Sequence, residues 1–170
     1  MISKENNWYA VYVTRHHERK AFMWIRSMGI EALFPIRTVE RRWSDRIKRI
    51  QEPLFPSYLF VKTSCKKYFE VLEHPSIIKY ISFGGDPATI PETQIEFLKD
   101  IDEHNIDCEV ARSNSKPGEK VVISEGPLSG REGEITYCCS RQRFVLKMDS
   151  IGHSLLVNIP AKSLLKKLPY

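Results

Sequence analysis

The segment 52–61 is the most distinctive apolar stretch of the chain, because it combines two prolines with three aromatic residues. The prolines fix their own φ and favour extended neighbours, so the segment forms a stiff turn that leads into a strand. In that strand Tyr58 and Phe60 occupy one face, while Leu59 and Val61 occupy the other. Both faces are apolar, which indicates either a strand covered on both sides or a face that awaits a partner protein.

The residues before this segment change from strand spacing to helical spacing. Residues 8–14 are aromatic and β-branched and predict a first strand. Apolar residues in 21–28 then recur at helical spacing, which predicts a helix that starts near His17 and ends at Gly29.

The remaining pattern of the first half predicts two more strands and two more helices. The strands cover 31–40, where Pro35 indicates an edge or a bulge, and 77–83. A short helix is predicted after Ser64 as its N-cap, and a longer one follows the capping box at residues 89–92. With the strand in 52–61, this β-α-β-β-α-β order resembles a ferredoxin-like unit, an α+β fold with an antiparallel sheet and helices.

The second half of the chain has shorter elements. Residues 107–115 are polar and lack periodicity, so we expect a linker between a domain at 1–106 and a domain at 116–170. Short β-type runs separated by glycine-containing turns predict a small barrel in the second domain. The runs are Lys120 to Ser124, Glu134 to Cys138, Phe144 to Met148 and Leu155 to Ile159.

Composition places the chain among soluble globular proteins. It has 170 residues, of which 42% are hydrophobic and 28% charged. No apolar run reaches the roughly 20 residues of a membrane span, and the start of the chain lacks the apolar core of a signal peptide. We therefore expect a cytoplasmic protein with no membrane association.

Two basic clusters stand out against a net charge of +5 and a pI of about 9.0. The first lies at the start of the predicted helix, where the helix dipole disfavours cations unless an anion such as a phosphate binds there. It contains Arg15, His16, His17, Arg19 and Lys20.

The second cluster surrounds Trp43 in a predicted hairpin whose tip is Ser44-Asp45. Cations next to an aromatic ring suit a nucleic acid, because they contact phosphates while the ring stacks on a base. An exposed, soluble hairpin with no partner would also explain these cations and the tryptophan. The hairpin candidates are Arg41, Arg42, Trp43, Arg46, Lys48 and Arg49.

Nothing in the sequence indicates catalysis, a metal or a cofactor. No phosphate-binding loop, dinucleotide fingerprint or nucleophile elbow occurs, and the five histidines are scattered. The four cysteines form no CxxC pair, which argues against a metal site. They are Cys65, Cys108, Cys138 and Cys139.

Several motifs together resemble the NusG family of transcription elongation factors. They are Trp8-Tyr9, the segment 52–61, Phe83-Gly84, and Lys116 to Val122 with the following Gly126-Pro127. The segment 52–61 is most similar to the specialised RfaH-like and UpxY-like antiterminators. The resemblance implies an N-terminal NGN domain at 1–106, which binds RNA polymerase, and a C-terminal KOW domain with an SH3-like β-barrel at 116–170.

The resemblance also implies a non-enzymatic antiterminator with two binding sites in the NGN domain. An apolar patch would bind the β′ clamp helices of RNA polymerase, and basic residues would bind the non-template DNA strand. The clamp residues would be Tyr12, Phe55, Tyr58, Phe60 and Leu98. The DNA-binding residues would be Arg15, His16, His17, Lys20 and Lys79.

Two further partners follow from the same resemblance. The family contacts the polymerase β subunit through a threonine-rich segment, where this chain has Lys66 to Glu70. The KOW domain would bind a ribosomal protein or Rho, and we expect the protein to be a monomer without a cofactor. The alternative function is a general RNA-binding or ribosome-associated module, since ferredoxin-like sheets and small barrels also carry RNA sites.

Overall fold

A computed structural model of the chain describes residues 5–112, 118–138 and 141–166. The chain divides into two compact units, Met1–Ile95 and Glu96–Tyr170. The elements that begin in the first unit are β1 (Asn7–Val13), α1 (Glu18–Ser27), β2 (Glu31–Leu33), β3 (Ile36–Arg42), β4 (Ile47–Pro53), β5 (Tyr58–Thr63), α2 (Tyr68–Val71), β6 (Ile77–Tyr80), β7 (Ser82–Phe83), β8 (Asp86–Pro87), β9 (Thr89–Ile90) and α3 (Glu92–Glu103).

The first unit is built on an antiparallel sheet in the order β2-β5-β1-β6, with β9 also paired to β1. With α1 after β1 and α2 after β5, these strands give the β-α-β-β-α-β order that the sequence predicts. Leu59 and Val61 join Tyr9, Val11 and Val13 in the hydrophobic core on one face of the sheet. The predicted alternation in β5, with Leu59 and Val61 on a different face from Tyr58 and Phe60, is therefore confirmed.

Helix α1 follows the predicted pattern closely. It buries Ala21 and Ile25 against the core and ends before Gly29, whose φ of +70° is the left-handed conformation that suits glycine. The predicted cap of the next helix is wrong, because α2 begins after Lys67 and not after Ser64. Ser64 instead accepts a backbone hydrogen bond from Lys67 N at 3.1 Å.

Two predicted strands are each split. Residues 31–40 form β2 and β3, separated at Pro35, which cannot donate a hydrogen bond to a neighbouring strand. Residues 77–83 form β6 and β7, and the latter pairs with β8 across the Gly84-Gly85 turn. Strands β3 and β4 make a separate two-stranded hairpin with seven register pairs.

The second unit contains the C-terminal part of α3 and an antiparallel sheet of six strands. The elements after α3 are β10 (Cys108–Arg112), β11 (Glu119–Ile123), β12 (Glu132–Cys138), β13 (Arg141–Met148), a 3₁₀ helix (Asp149–Ile151), β14 (His153–Val157), a 3₁₀ helix (Ala161–Ser163) and β15 (Leu164–Lys166). The strand order is β10-β14-β13-β12-β11-β15. Among the described residues no pairing joins β10 to β15, so these residues do not show closure of the predicted barrel.

The four predicted C-terminal strands are present as β11 to β14, but part of the expected linker is wrong. Cys108–Arg112 forms β10, which pairs with β14 along five residues. The remaining linker residues 113–115 lie outside the described residues. The polar composition favours a loop, but β14, about forty-five residues away in sequence, pairs with the backbone of β10. This tertiary pairing makes the segment a strand.

The part of α3 in the second unit packs on this sheet. The Phe97 ring stacks on Phe144 with 5.7 Å between centroids and 13° between planes. The Arg131 side chain donates to Glu96 at 2.6 Å and to Asp100 at 2.9 Å. The helix is therefore held to the sheet by both an aromatic contact and ion pairs.

Candidate protein and nucleic-acid binding surfaces

The aromatic candidates lie on the sheet face opposite the core of the first unit. Tyr12 stands directly across from Tyr58 in the β1–β5 register, with 5.6 Å between ring centroids at 79°. Both side chains are half-buried. Burial, followed by the neighbouring Tyr12, raises the pKa of Tyr58, so the Tyr58 hydroxyl is neutral at physiological pH.

Phe55 and Phe60 are not exposed as a docking patch requires. Their relative exposures are 2% and 0%, and their rings meet edge to face at 5.8 Å. Leu98, at 0% exposure, is buried in the second unit. Of the five clamp candidates, the structure therefore brings Tyr12 and Tyr58 together at an accessible position and buries the other three.

The same sheet face continues to one of the basic candidates. Lys79 in β6 pairs with Tyr12, and its side chain is exposed. Directly paired residues on neighbouring antiparallel strands lie side by side on one face. Tyr58, Tyr12 and Lys79 thus form a row across β5, β1 and β6.

The other basic candidates form what we call the basic turn, defined as Arg15, His16, His17 and Lys20. All four are exposed, and the turn closes through a hydrogen bond from His17 N to Thr14 O at 3.0 Å. His16 has a φ of +68°, an unusual value for a residue other than glycine. The basic turn leads directly into α1 at Glu18.

Glu18 is a site residue that the sequence analysis missed. Its side chain is 4% exposed, and its carboxylate accepts a 3.0 Å hydrogen bond from the backbone N–H of Ser57. Ser57 has a φ of +68°, and its carbonyl accepts a hydrogen bond from Val13 N at 2.8 Å. Glu18 therefore ties the start of α1 to the start of β5. A glutamate in a first helical turn was the only sequence signal, and it does not identify the partner.

His74 reports on the charge of the basic turn. The imidazole is buried, lies 5.0 Å from the Trp24 ring and accepts a hydrogen bond from Ser76 N. Burial lowers the pKa of His74, and the nearby positive charges of Lys20 and His17 lower it further. The structure therefore brings Lys20 and His17 close enough together to act on one buried group.

The basic hairpin formed by β3 and β4 is exposed along residues 41–49. Its tip closes as predicted, with Trp43 N donating to Arg46 O at 2.8 Å. The Trp43 side chain is 58% exposed. Within the hairpin, Arg49 pairs with Glu40 at 3.0 Å, and Arg41 pairs with Glu52 at 3.3 Å.

The cysteines and the possible metal ligands add no further site. Cys65 is a half-buried thiol and Cys108 is buried, while the side chains of Cys138 and Cys139 lie outside those described. In the ranges that the structure describes, histidine, cysteine and acidic side chains do not gather in threes as a metal site would require. None of the helices in those ranges has the length and apolar character needed to cross a membrane.

Comparison with known proteins gives a consistent result. A family model described as "Transcription termination factor nusG" matches residues 6–99, which is more than half of the chain. The solved structure titled "Domain interaction in Thermotoga maritima NusG" is similar with a TM-score of 0.55 and 18% identity, covering 95% of this chain and 97% of that one. At this identity the structural similarity supports the fold alone.

A structure titled "Crystal Structure of MjSpt4:Spt5 complex conformation B" aligns with a TM-score of 0.33 and 12% identity, covering 94% of this chain and 95% of that one. That score is too low to support an argument. The family match covers β1 to most of α3, which includes the Tyr12–Tyr58 pair, the basic turn and the basic hairpin. The chain belongs to the NusG family of transcription factors.

Proposed function

We propose that this protein is a transcription elongation factor of the specialised RfaH-like or UpxY-like kind, which binds RNA polymerase and suppresses pausing and termination in specific operons. The observation that carries the proposal is the Tyr12–Tyr58 pair on an accessible sheet face, next to Lys79, in a chain of the NusG family. The protein makes and breaks no bond. It acts in the cytoplasm by binding one state of the polymerase more tightly than another.

The polymerase-binding surface is centred on Tyr12 and Tyr58. Tyrosine is enriched at interface hot spots because it offers a large apolar ring together with a polar hydroxyl. Phe55 and Phe60 support this surface from the same apolar sheet face, and their burial limits any direct contact with the polymerase. The partner is the pair of clamp helices in the β′ subunit.

The proposed DNA-binding site is the basic turn together with Lys79. Its exposed cations would contact the phosphates of the non-template strand in the transcription bubble, because each neutralised phosphate releases counterions. The buried Glu18 fixes the turn from the inside, and its carboxylate is directed toward Ser57 N. The exposed side of the turn therefore remains cationic.

Residues 116–170, within the second unit, are proposed to be a KOW domain with an SH3-like barrel. Their five antiparallel strands, β11 to β15, and the short turns between them support that proposal. The partner of the KOW domain would be a ribosomal protein or Rho.

A pull-down with a β′ clamp-helix fragment tests the polymerase proposal. The Tyr58→Ala variant should retain less fragment than the unsubstituted protein, by about tenfold or more for a hot-spot residue. Phe69→Ala is the matched control, since Phe69 is an aromatic side chain with 68% exposure elsewhere in the first unit. Equal retention by Tyr58→Ala and the unsubstituted protein would contradict the proposed surface.

A binding titration with bubble DNA tests the second site. The double variant Arg15→Ala/Lys20→Ala should bind more weakly and with a shallower salt dependence, by about 1.4 in the slope for two single-strand contacts. Arg26→Ala/Lys66→Ala removes the same charge from other exposed positions and should behave like the unsubstituted protein. Tighter binding to structured RNA than to bubble DNA would favour the alternative, a general RNA-binding or ribosome-associated module.

A further inference from the structure

The two faces of the basic hairpin differ in charge and in ring content. Arg41 pairs with Lys48, and the hydrogen bond from Trp43 N to Arg46 O extends this register by one pair. Side chains of directly paired residues share a face, and alternate pairs share the same face. We call the face with Arg41, Trp43, Arg46 and Lys48 the tip face.

The opposite face, which we call the reverse face, carries Arg42, Ile47 and Arg49. Here Arg49 is neutralised by Glu40 at 3.0 Å, and Ile47 is 65% exposed. The reverse face therefore combines an ion pair with an isolated aliphatic side chain. It offers no aromatic ring.

The strand residues of the tip face include a single acid, which lies far from the hairpin turn. Glu52 is the only acid on this face of the described hairpin, and it contacts both Arg37 at 3.5 Å and Arg41 at 3.3 Å. Arg46 and Lys48 have no acidic partner among the described residues. Asp45 in the turn is the one other acid near the tip of the described hairpin, so a net positive charge from Arg46 and Lys48 remains next to the exposed indole of Trp43.

This arrangement fits a single strand of nucleic acid better than a protein or a duplex. A flat ring with 58% exposure provides a stacking surface for an unpaired base, and the flanking cations provide phosphate contacts. Stacking on Trp43 requires a base that is not already paired within a helix. A protein partner would instead require an acidic surface to face Arg46 and Lys48.

The position of the hairpin relative to the basic turn indicates which DNA strand it would contact. The hairpin base closes through Leu54 N and Pro35 O at 2.9 Å, and the chain then reaches Ser57, which is hydrogen-bonded to Val13 and Glu18 at the basic turn. Seven residues at about 3.3 Å each carry the tip about 23 Å from that base. A strand held at the basic turn therefore has a second, more distant contact available.

We propose that the tip face of the hairpin binds single-stranded DNA, with one unpaired base stacked on Trp43 and its phosphates near Arg46 and Lys48. This inference rests on the proposed function, because the strand is the one held at the basic turn. The hairpin lengthens the segment of DNA that the protein contacts. Stacking on Trp43 makes binding at the tip depend on an unpaired base.

The test uses the full chain and labelled oligonucleotides of about 4 and about 16 nucleotides, a duplex of the longer sequence and the matching RNA. Trp43→Ala should weaken binding of the longer DNA strand by about 5- to 150-fold, the range for loss of one stacked base. Binding of the shorter strand should not change. Arg46→Ala/Lys48→Ala should reduce the salt slope by about 1.4.

Two matched controls use the reverse face. Ile47→Ala removes an equally exposed apolar side chain, and Arg49→Ala removes one cation that is already paired. Both should leave DNA binding within about twofold of the unsubstituted protein. The longer strand should also quench tryptophan emission, and Trp43→Ala should remove most of this quenching, since Trp8 is only 2% exposed and Trp24 is half-buried.

Three results would overturn the inference. The first is a loss of affinity in Ile47→Ala as large as that in Trp43→Ala. The second is duplex DNA bound as tightly as the single strand. The third is RNA bound more tightly than DNA in a way that Trp43→Ala abolishes. The basic-turn variant separates this inference from the proposed function, because Arg15→Ala/Lys20→Ala should weaken binding of both the short and the long oligonucleotide. If that variant binds normally while Trp43→Ala does not, the proposed DNA site fails and the hairpin site stands.

Discussion

The backbone N–H of Ser57 donates a hydrogen bond to the buried carboxylate of Glu18 across thirty-nine positions of sequence, with a length of 3.0 Å. Ser57 precedes Tyr58, and Glu18 follows the basic turn. One buried hydrogen bond therefore connects the strand that carries the proposed polymerase contact to the turn that carries the proposed DNA contact. A buried charge-assisted hydrogen bond of this kind is costly to break from one side only.

The first prediction concerns this bond. Glu18→Ala leaves the Ser57 N–H without its acceptor, so the free energy of unfolding should fall by about 1–3 kcal/mol. Glu18→Gln keeps a carbonyl oxygen that can accept the bond, so its free energy of unfolding should fall by less than that of Glu18→Ala. Urea denaturation measures both variants, with Arg19→Ala as an exposed neighbour that should stay within about 0.5 kcal/mol of the unsubstituted protein. Unchanged stability of Glu18→Ala would show that the bond is unimportant.

The second prediction uses His74 as a reporter of the basic turn. Burial and the charges of Lys20 and His17 keep the folded pKa of His74 below its ordinary value. Lys20→Ala should therefore raise the pKa of His74, and so should a bound polyanion that screens those charges. NMR titration of the imidazole measures both changes. Arg26→Ala, at the opposite end of α1, should leave the His74 pKa unchanged.

The same pKa shift has a consequence for stability. The unfolded chain binds a proton at His74 near pH 6.5, whereas the folded protein does so only at lower pH. The stability contribution of neutral His74 is therefore complete above about pH 6.5 and is lost as the pH falls through the folded pKa. Denaturation at several acidic pH values should show a smaller acid-induced loss in His74→Gln. An equal loss would exclude His74 as its source.

The third prediction concerns alkaline stability. Burial raises the pKa of Tyr80 strongly, with further contributions from Tyr68 and Tyr9, and its hydroxyl donates to Tyr68 O at 3.0 Å. The unfolded tyrosine ionises near pH 10, so stability should be lost above that pH, by at most about 1.4 kcal/mol per pH unit for one group. Tyr80→Phe should show a shallower alkaline loss while costing about 1 kcal/mol at neutral pH. Parallel pH profiles for the two proteins would contradict this assignment.

The fourth prediction concerns packing in the second unit. Gly133 in β12 lies against the Phe144 ring, and a methyl group there would meet Val145 O at 2.7 Å. Gly133→Ala should therefore destabilise this unit by about 1–3 kcal/mol. Adding Phe144→Leu should recover part of the loss if the ring is the obstacle, although the smaller side chain alone is destabilising. Thermal unfolding of the two single variants and the double variant measures the coupling, and strict additivity would contradict the proposed clash.

The local elements of this protein were predictable because their signals lie within a few residues of one another. The alternation in β1 and β5, the helical spacing that ends at Gly29, and the hairpin tip after Trp43 each depend on neighbours along the chain. Register follows from the same alternation once two strands pair. The antiparallel sheet with its helices could therefore be predicted from sequence.

The predictions that were wrong concern features that depend on contacts between residues distant in sequence. Cys108–Arg112 is polar enough to predict a linker, yet β14 supplies the backbone partners that make it a strand. Phe55 and Phe60 have the composition of a docking patch, and only the folded chain shows that both are buried. Burial depends on what covers a side chain, which local sequence does not specify.

The sequence by itself therefore determined the order of the elements, the positions of the cations and the aromatic character of the second sheet face. The tertiary structure decided which rings remain accessible, that Glu18 holds Ser57, and that Trp43 shares a face with Arg46 and Lys48. The physical reason is that propensity and alternation act over a few residues. Exposure, hydrogen-bond partners and the faces shared by separate strands instead follow from how distant segments of the chain pack together.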